Sequence, residues 1–189
     1  MPSSDPQTIP KVLQIVRMIN PESILDVGCG NGRYGFLFRE SLDWDYGRLK
    51  HDSWEHFILG IEAEEDYLTP IHEYCYDSVI SVDWMNYETL VDSVDLIFMG
   101  DVLEHFAEGE WQKALKKAWL MSRFTIVVAP NWRGSIAQGA WEGYEHEAHR
   151  VALTPQKVGG RCLFANSKTF ICIFDNESTG LFEGKDVCL

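Results

Sequence analysis

A run of glycines framed by an acidic residue, Asp26-Val27-Gly28-Cys29-Gly30-Asn31-Gly32 with Gly35 beyond it, is the stretch of this chain best suited to hold a ligand. Ile24, Leu25 and Val27 have strand character, and Leu37, Phe38 and Leu42 recur at helical spacing, so the glycines occupy a turn from strand to helix. Glycine turns the backbone at positive φ and lets a ligand approach where a Cβ would collide. The free N–H groups opening the helix favour a carboxylate or phosphate. Two frames stand open. Gly30-x-Gly32-x-x-Gly35 formally matches the dinucleotide fingerprint, which is weak by itself. Asp26-x-Gly28-x-Gly30-x-Gly32 instead puts an anion two places before the first glycine, where it would repel a pyrophosphate and suit an ammonium group. A plain turn with no ligand would need fewer glycines.

Further along, Phe57-Ile58-Leu59-Gly60-Ile61 ends at Glu62, and an acidic side chain closing a second strand can accept both hydroxyls of a ribose. Glu62 would equally serve as a helix-start anion, since Glu64, Glu65 and Asp66 follow. Three histidines can take a proton from an acceptor hydroxyl as a bond forms, a contribution of roughly 10²- to 10⁴-fold. His105 follows the fourth strand, and His146 and His149 lie in a long aromatic loop. His105 has a plainer alternative, bonding backbone and shaping a pocket floor. His146-x-x-His149 with Glu142, Glu145 and Glu147 offers metal-ligand types, but the spacing is not a zinc pattern, so a solvated acidic face is expected and no metal. Trp132, Trp141 and Tyr144 would line an acceptor pocket or anchor the loop.

The Asp26 to Gly32 run resembles the glycine-rich loop of class I S-adenosylmethionine-dependent methyltransferases. Gly100-Asp101-Val102-Leu103-Glu104-His105 resembles the strand-end Leu-Glu-His segment of their small-molecule members. The resemblance covers about residues 8 to 175. It implies S-adenosylmethionine as cofactor, its methionine part at Asp26, Gly28, Cys29, Gly30 and Asn31, its ribose at Glu62 beside Ala63, and its adenine at Asp83 and Trp84. Gly100, Asp101 and Val102 would complete that pocket, although Trp84 also suits a core position. His105, His149 and His146 become the candidate catalytic bases for methyl transfer to a small molecule, at a hydroxyl. The Asn-Pro-Pro-Tyr pattern of enzymes acting on amino groups of DNA bases or glutamine is missing. Two other functions remain open: an NAD(P)-dependent oxidoreductase, and a non-catalytic S-adenosylmethionine-binding module.

Elements of the right kind surround these residues. A helix is expected over 10–19, capped by Thr8 and stopped at Asn20-Pro21, and a polar aromatic insert over 43–56. Strands are expected at 24–27, 57–62, 78–82, 95–99 and 124–129. Between them lie helices after the glycine loop, around Tyr67 to Tyr74 with Pro70 delaying the start, and over 109–121 with Lys113, Lys116 and Lys117 on a wet face. Residues 131–152 form a lid or acceptor loop, then comes a short helix at 154–158. Segments 161–164 and 169–174 are too close to be anything but an antiparallel hairpin. The pattern predicts one α/β domain over 1–189 with a loose start at 1–7. Its sheet is doubly wound, mostly parallel and seven-stranded, with a C-terminal antiparallel hairpin, the Rossmann-like methyltransferase fold. A standard dehydrogenase would end with a sixth parallel strand.

Composition narrows the partners. With 29 acidic against 16 basic side chains, the formal charge of −13 repels nucleic acid and anionic lipid surfaces. Five cysteines without a Cys-x-x-Cys pair point to a reducing cytoplasm rather than a disulfide framework. No signal peptide or membrane-spanning run is visible, so a soluble cytoplasmic protein is expected, its oligomeric state open.

Overall fold

In a computed structural model, residues 5–88, 93–131, 139 and 144–181 are described. Helix α1 (Ile9–Ile19) is followed by β1 (Ser23–Val27), α2 (Arg33–Leu42), β2 (Phe57–Glu62), α3 (Pro70–Cys75) and β3 (Ser78–Ser81). Then come β4 (Val94–Gly100), α4 (Glu110–Met121), β5 (Ser122–Pro130), α5 (Pro155–Val158), β6 (Arg161–Ala165) and β7 (Thr169–Asp175). The seven strands order as β3-β2-β1-β4-β5-β7-β6, parallel except for β7, which is antiparallel to both neighbours. The expected doubly wound sheet ending in a hairpin is present.

Alternation along the strands divides the core in two. Ile24, Leu96, Phe98, Phe124, Ile126 and Ile171 face Val12, Ile15 and Val16 of α1, Phe38 of α2 and Cys75 of α3. Leu25, Val27, Ile97, Met99 and Val127 face Trp111, Ala114, Leu115 and Ala118 of α4. Chain order reverses between β1 and β4, which pair at Ile24–Leu96 through Val27–Met99. A crevice therefore opens at their carboxyl ends, the place where open α/β sheets bind ligands.

Several local expectations are revised. Thr8 does not cap α1: its hydroxyl donates to the Asp5 carbonyl, and Pro6–Thr8 form a 3₁₀ turn. Residues 1–4 lie outside the described part. Glu65–Tyr67 form a separate 3₁₀ turn, and α3 begins only at Pro70. Strand β3 stops at Ser81, one residue early, and β5 runs longer than expected, from Ser122 to Pro130. Lys117 does not lie on a wet face. Its ammonium donates to the carbonyls of Trp84 and Tyr87 at 2.6 Å each and sits over the Trp84 ring. The insert over 43–56 holds two 3₁₀ turns around the buried Asp43.

Among the described residues, no helix is long and apolar enough to cross a membrane.

Candidate functional site

The glycine loop leaves β1 with Gly28 at φ +67°, where a Cβ would stand 2.6 Å from Cγ2 of Val102. The loop thus closes directly on the segment leaving β4. Gly28 and Cys29 donate their N–H groups to the Ile61 carbonyl at 2.8 and 3.0 Å, locking the loop onto the end of β2. Gly30 N–H donates to Glu62 Oε2 at 2.7 Å, and Glu64 N–H to Oε1 at 2.9 Å. Burial pushes the Glu62 carboxyl upward, and these backbone donors restrain the rise. His72, from α3, accepts the Thr69 N–H through Nδ1 at 3.0 Å, so its Nε2 carries the proton and donates to the Gly30 carbonyl at 3.0 Å.

Above this loop is a cavity of about 420 Å³, a volume suited to a nucleoside-sized ligand. It is lined by Gly28, Cys29, Gly30 and Asn31 of the loop, Glu62 and Ala63 after β2, and Asp83 and Trp84 after β3. Gly100, Asp101, Val102 and His105 after β4, and His146 from the long loop, complete the sequence-derived residues found there. Asp101 holds φ +55°, an uncommon backbone state for a residue with a side chain.

Two of the expected residues lie elsewhere. Asp26 is 2% exposed and does not line the cavity; its Oδ2 accepts the Tyr76 hydroxyl at 2.6 Å. The same hydroxyl oxygen accepts the Gly35 N–H at 3.1 Å, and a Cβ on Gly35 would fall 2.1 Å from the Tyr76 ring. Asp26 and Gly35 therefore seat Tyr76 beneath the loop. This accounts for the third glycine of the dinucleotide-like pattern without a ligand. Burial, reinforced by the Glu62 charge and opposed by the Tyr76 hydrogen bond, raises the Asp26 carboxyl to about 7. His149 stands behind His105, their rings 5.0 Å apart and edge to face.

Trp84 lines the cavity only marginally. It is 3% exposed, and its indole N–H donates to the Ala114 carbonyl at 3.1 Å, which ties it to the core under α4. Asp83 Oδ1 accepts the Met85 N–H at 2.7 Å. Cys29 is buried beside Asp26 and Glu62, and both burial and those charges keep its thiol protonated.

The far wall was less legible. Tyr67 donates its hydroxyl to Glu147 at 2.8 Å and stacks on Tyr144 at 5.3 Å, fastening the 144–147 segment across the cleft. Arg150 and Val151 donate their N–H groups to the Glu104 carbonyl. His105 faces the Ala148 carbonyl with Nδ1 at 3.2 Å, so that nitrogen carries the proton and Nε2 the lone pair. Burial lowers the His105 imidazole below its ordinary value and lowers His149 to about 4, helped there by His105, so both rings are neutral near pH 7. Glu104 is fully buried, and among the described residues neither carboxylate oxygen has a hydrogen-bond partner. Its nearest ion-pair contact is His149 Nε2 at 4.0 Å.

His146 is separate from that group, its side chain 58% exposed and 3.8 Å from Glu64. Arg33, Lys113, Glu110 and Arg150 also line the cavity, Lys113 from the lysine-bearing face of α4. Trp132, Trp141 and Glu142 lie outside the described residues.

The structure is similar to PH0226 protein from Pyrococcus horikoshii OT3 (TM-score 0.63, 16% identity, covering 89% of this chain and 88% of that one). It is similar to the methyltransferase domain of bacterial CtHen1-C (TM-score 0.59, 19% identity, 89% and 96% covered). A third similar structure is magnesium protoporphyrin IX methyltransferase (ChlM) from Synechocystis PCC 6803 with bound SAH (TM-score 0.57, 14% identity, 88% and 81% covered). At these identities the likeness is one of fold. No curated protein matches the sequence. Residues 6–112, more than half of the 189, match the family model described as "Tellurite resistance protein TehB", and the chain belongs to that family.

Proposed function

We propose that this chain is an S-adenosylmethionine-dependent methyltransferase acting on a small-molecule acceptor, at a hydroxyl. The observation that carries the reading is the cavity at the β1/β4 switch point, floored by the glycine loop and edged by Glu62. The donor set fits the cofactor. Glu62 spends one lone pair per oxygen on backbone N–H groups, which leaves capacity for two ribose hydroxyls. Asp83 is available to an adenine amino group, and Asn31 with the start of α2 to the methionine carboxylate. Fold neighbours with bound SAH, ChlM among them, support the same ligand. The antiparallel β7 argues against a standard nicotinamide dehydrogenase.

When bound, the cofactor supplies an electrophilic methyl group, so the chain's task is alignment and exclusion of water. Asp26 acts from below, holding Tyr76 and through it the loop, rather than gripping the ligand. Tyr67, Tyr144 and Glu147 hold the far wall of the cleft closed on the acceptor side. A neutral His105, with its Nε2 lone pair, suits an acceptor hydroxyl that must lose a proton.

The reading is tested by thermal unfolding with S-adenosylhomocysteine and with NADH. At about 100 times its dissociation constant, the first ligand adds roughly 2.7 kcal/mol of stability and the second adds none. A shift with NADH alone overturns the proposal. Cofactor binding without methyl transfer to any acceptor in a cell extract would favour the non-catalytic module.

A further inference from the structure

Carboxylate and imidazole atoms of Glu104, His105 and His149 lie within 4.8 Å of one another beside the cleft. This is a different grouping from His146 with His149, whose spacing is not a metal pattern. A metal with bonds of about 2.0–2.2 Å holds its ligand atoms roughly 3–4 Å apart. The cluster needs a contraction of about 1–2 Å to become a coordination shell.

A second observation is independent of the spacing. The Glu104 carboxylate is 0% exposed, yet both oxygens lack a hydrogen-bond partner among the described residues. Buried carboxylates are ordinarily paired or coordinate metals. The acidic groups nearby, Asp101 and Glu147, supply no compensating positive charge. A cation is the missing partner.

The backbone already fixes the shell. Glu104 and His105 are adjacent on the 3₁₀ turn Leu103–His105, and the loop bearing His149 is pinned to that turn by the Arg150 and Val151 N–H groups. The His105 Nδ1 proton, given to the Ala148 carbonyl, is the kind of outer hydrogen bond that orients a ligating imidazole.

We propose that Glu104, His105 and His149 bind one divalent transition-metal ion at the wall of the cleft, with its remaining positions open to an acceptor oxygen. Two imidazoles and a carboxylate suit Mn²⁺, Co²⁺ or Zn²⁺ better than Ca²⁺ or Mg²⁺. Binding of the ion stands by itself; its use in catalysis rests on the methyltransferase reading. In that use, coordination acidifies the acceptor hydroxyl, and the two histidines serve as ligands rather than as bases.

The test uses the full chain stripped with a chelator and titrated calorimetrically with MnCl₂ and with CoCl₂, the latter also read by visible absorption. One ion per chain is expected. Glu104→Gln and His149→Ala are each expected to weaken binding at least about 100-fold, beyond the ~10–100-fold typical of losing an outer-shell partner. The Gln variant keeps shape and volume, and retained stabilisation by S-adenosylhomocysteine certifies that both variants are folded. Absence of binding by the parent chain at millimolar metal overturns the proposal, as does equal affinity in the variants. Metal binding without any S-adenosylhomocysteine shift would leave the ion in place and remove the methyltransferase reading instead.

Discussion

The two ends of the sheet bury carboxylates in opposite ways. At the amino ends of β2 and β3, Asp43 accepts bonds from Arg39, Arg48 Nε, the Glu55 N–H and His56 Nδ1. Arg39 is itself 0% exposed, bonds the Cys75 and His56 carbonyls and Asp77, and lies 3.7 Å from the Trp54 ring centroid. Burial alone would raise the Asp43 carboxyl, but these donors hold it down at about 2. At the carboxyl end of β4, Glu104 is equally buried, its carboxylate oxygens have no hydrogen-bond partner among the described residues, and burial pushes its carboxyl up. A network with every group paired gives rigidity; a buried acid left open to a missing cation marks a place where something binds.

The largest expected effect falls on the paired end. Arg39→Met removes the guanidinium that Asp43 and Asp77 share and leaves the buried Cys75 and His56 carbonyls without its N–H groups, so unfolding in urea should require about 3–5 kcal/mol less. A loss under about 1 kcal/mol would mean that the cluster is far wetter than its geometry indicates, and would remove the contrast between the two ends.

Asp26 is the intermediate case, with one side-chain donor, Tyr76, and a carboxyl near 7. Its folded value lies above its unfolded one, so its stabilising contribution is complete below about pH 4 and is lost as pH rises through about 7. Asp26→Asn should flatten that decline in a series of melting curves. Tyr76→Phe should cost about 1–3 kcal/mol and carry the decline to higher pH, because the carboxylate loses its donor and the Gly35 N–H its acceptor. An unchanged pH profile in both variants would show that Asp26 does not titrate in this range.

Much of this was readable from residue pattern, and what was not has a common physical cause. Short apolar runs and helical period located the seven strands and the hairpin, because the apolar character of a buried segment is local to it. The loop and Glu62 were legible because glycine and a strand-end acid restrict what the backbone can do there. The partner of Asp26 was not, since Tyr76 is 50 residues away and its hydroxyl leaves no periodic trace. Arg39 carried no signal in the sequence, since one of its two buried ion pairs is with Asp77, 38 residues away. Tyr67 and Glu147, 80 residues apart, close the cleft by a contact that only the folded chain creates.

The smallest stability effect should come from the end where most binding is expected. In metal-free protein, Glu104→Gln replaces a buried acid that has no hydrogen-bond partner among the described residues with a neutral group of the same shape, so no favourable contact is lost. The melting temperature should therefore stay level or rise, with a change in stability within about 1 kcal/mol, whereas Arg39→Met at the other end falls steeply. Adding Mn²⁺ should invert the order, stabilising the parent and leaving Glu104→Gln unmoved. If the substitution instead costs several kcal/mol without metal, Glu104 is already paired within the chain, and the two ends of the sheet bury their acids by the same rule.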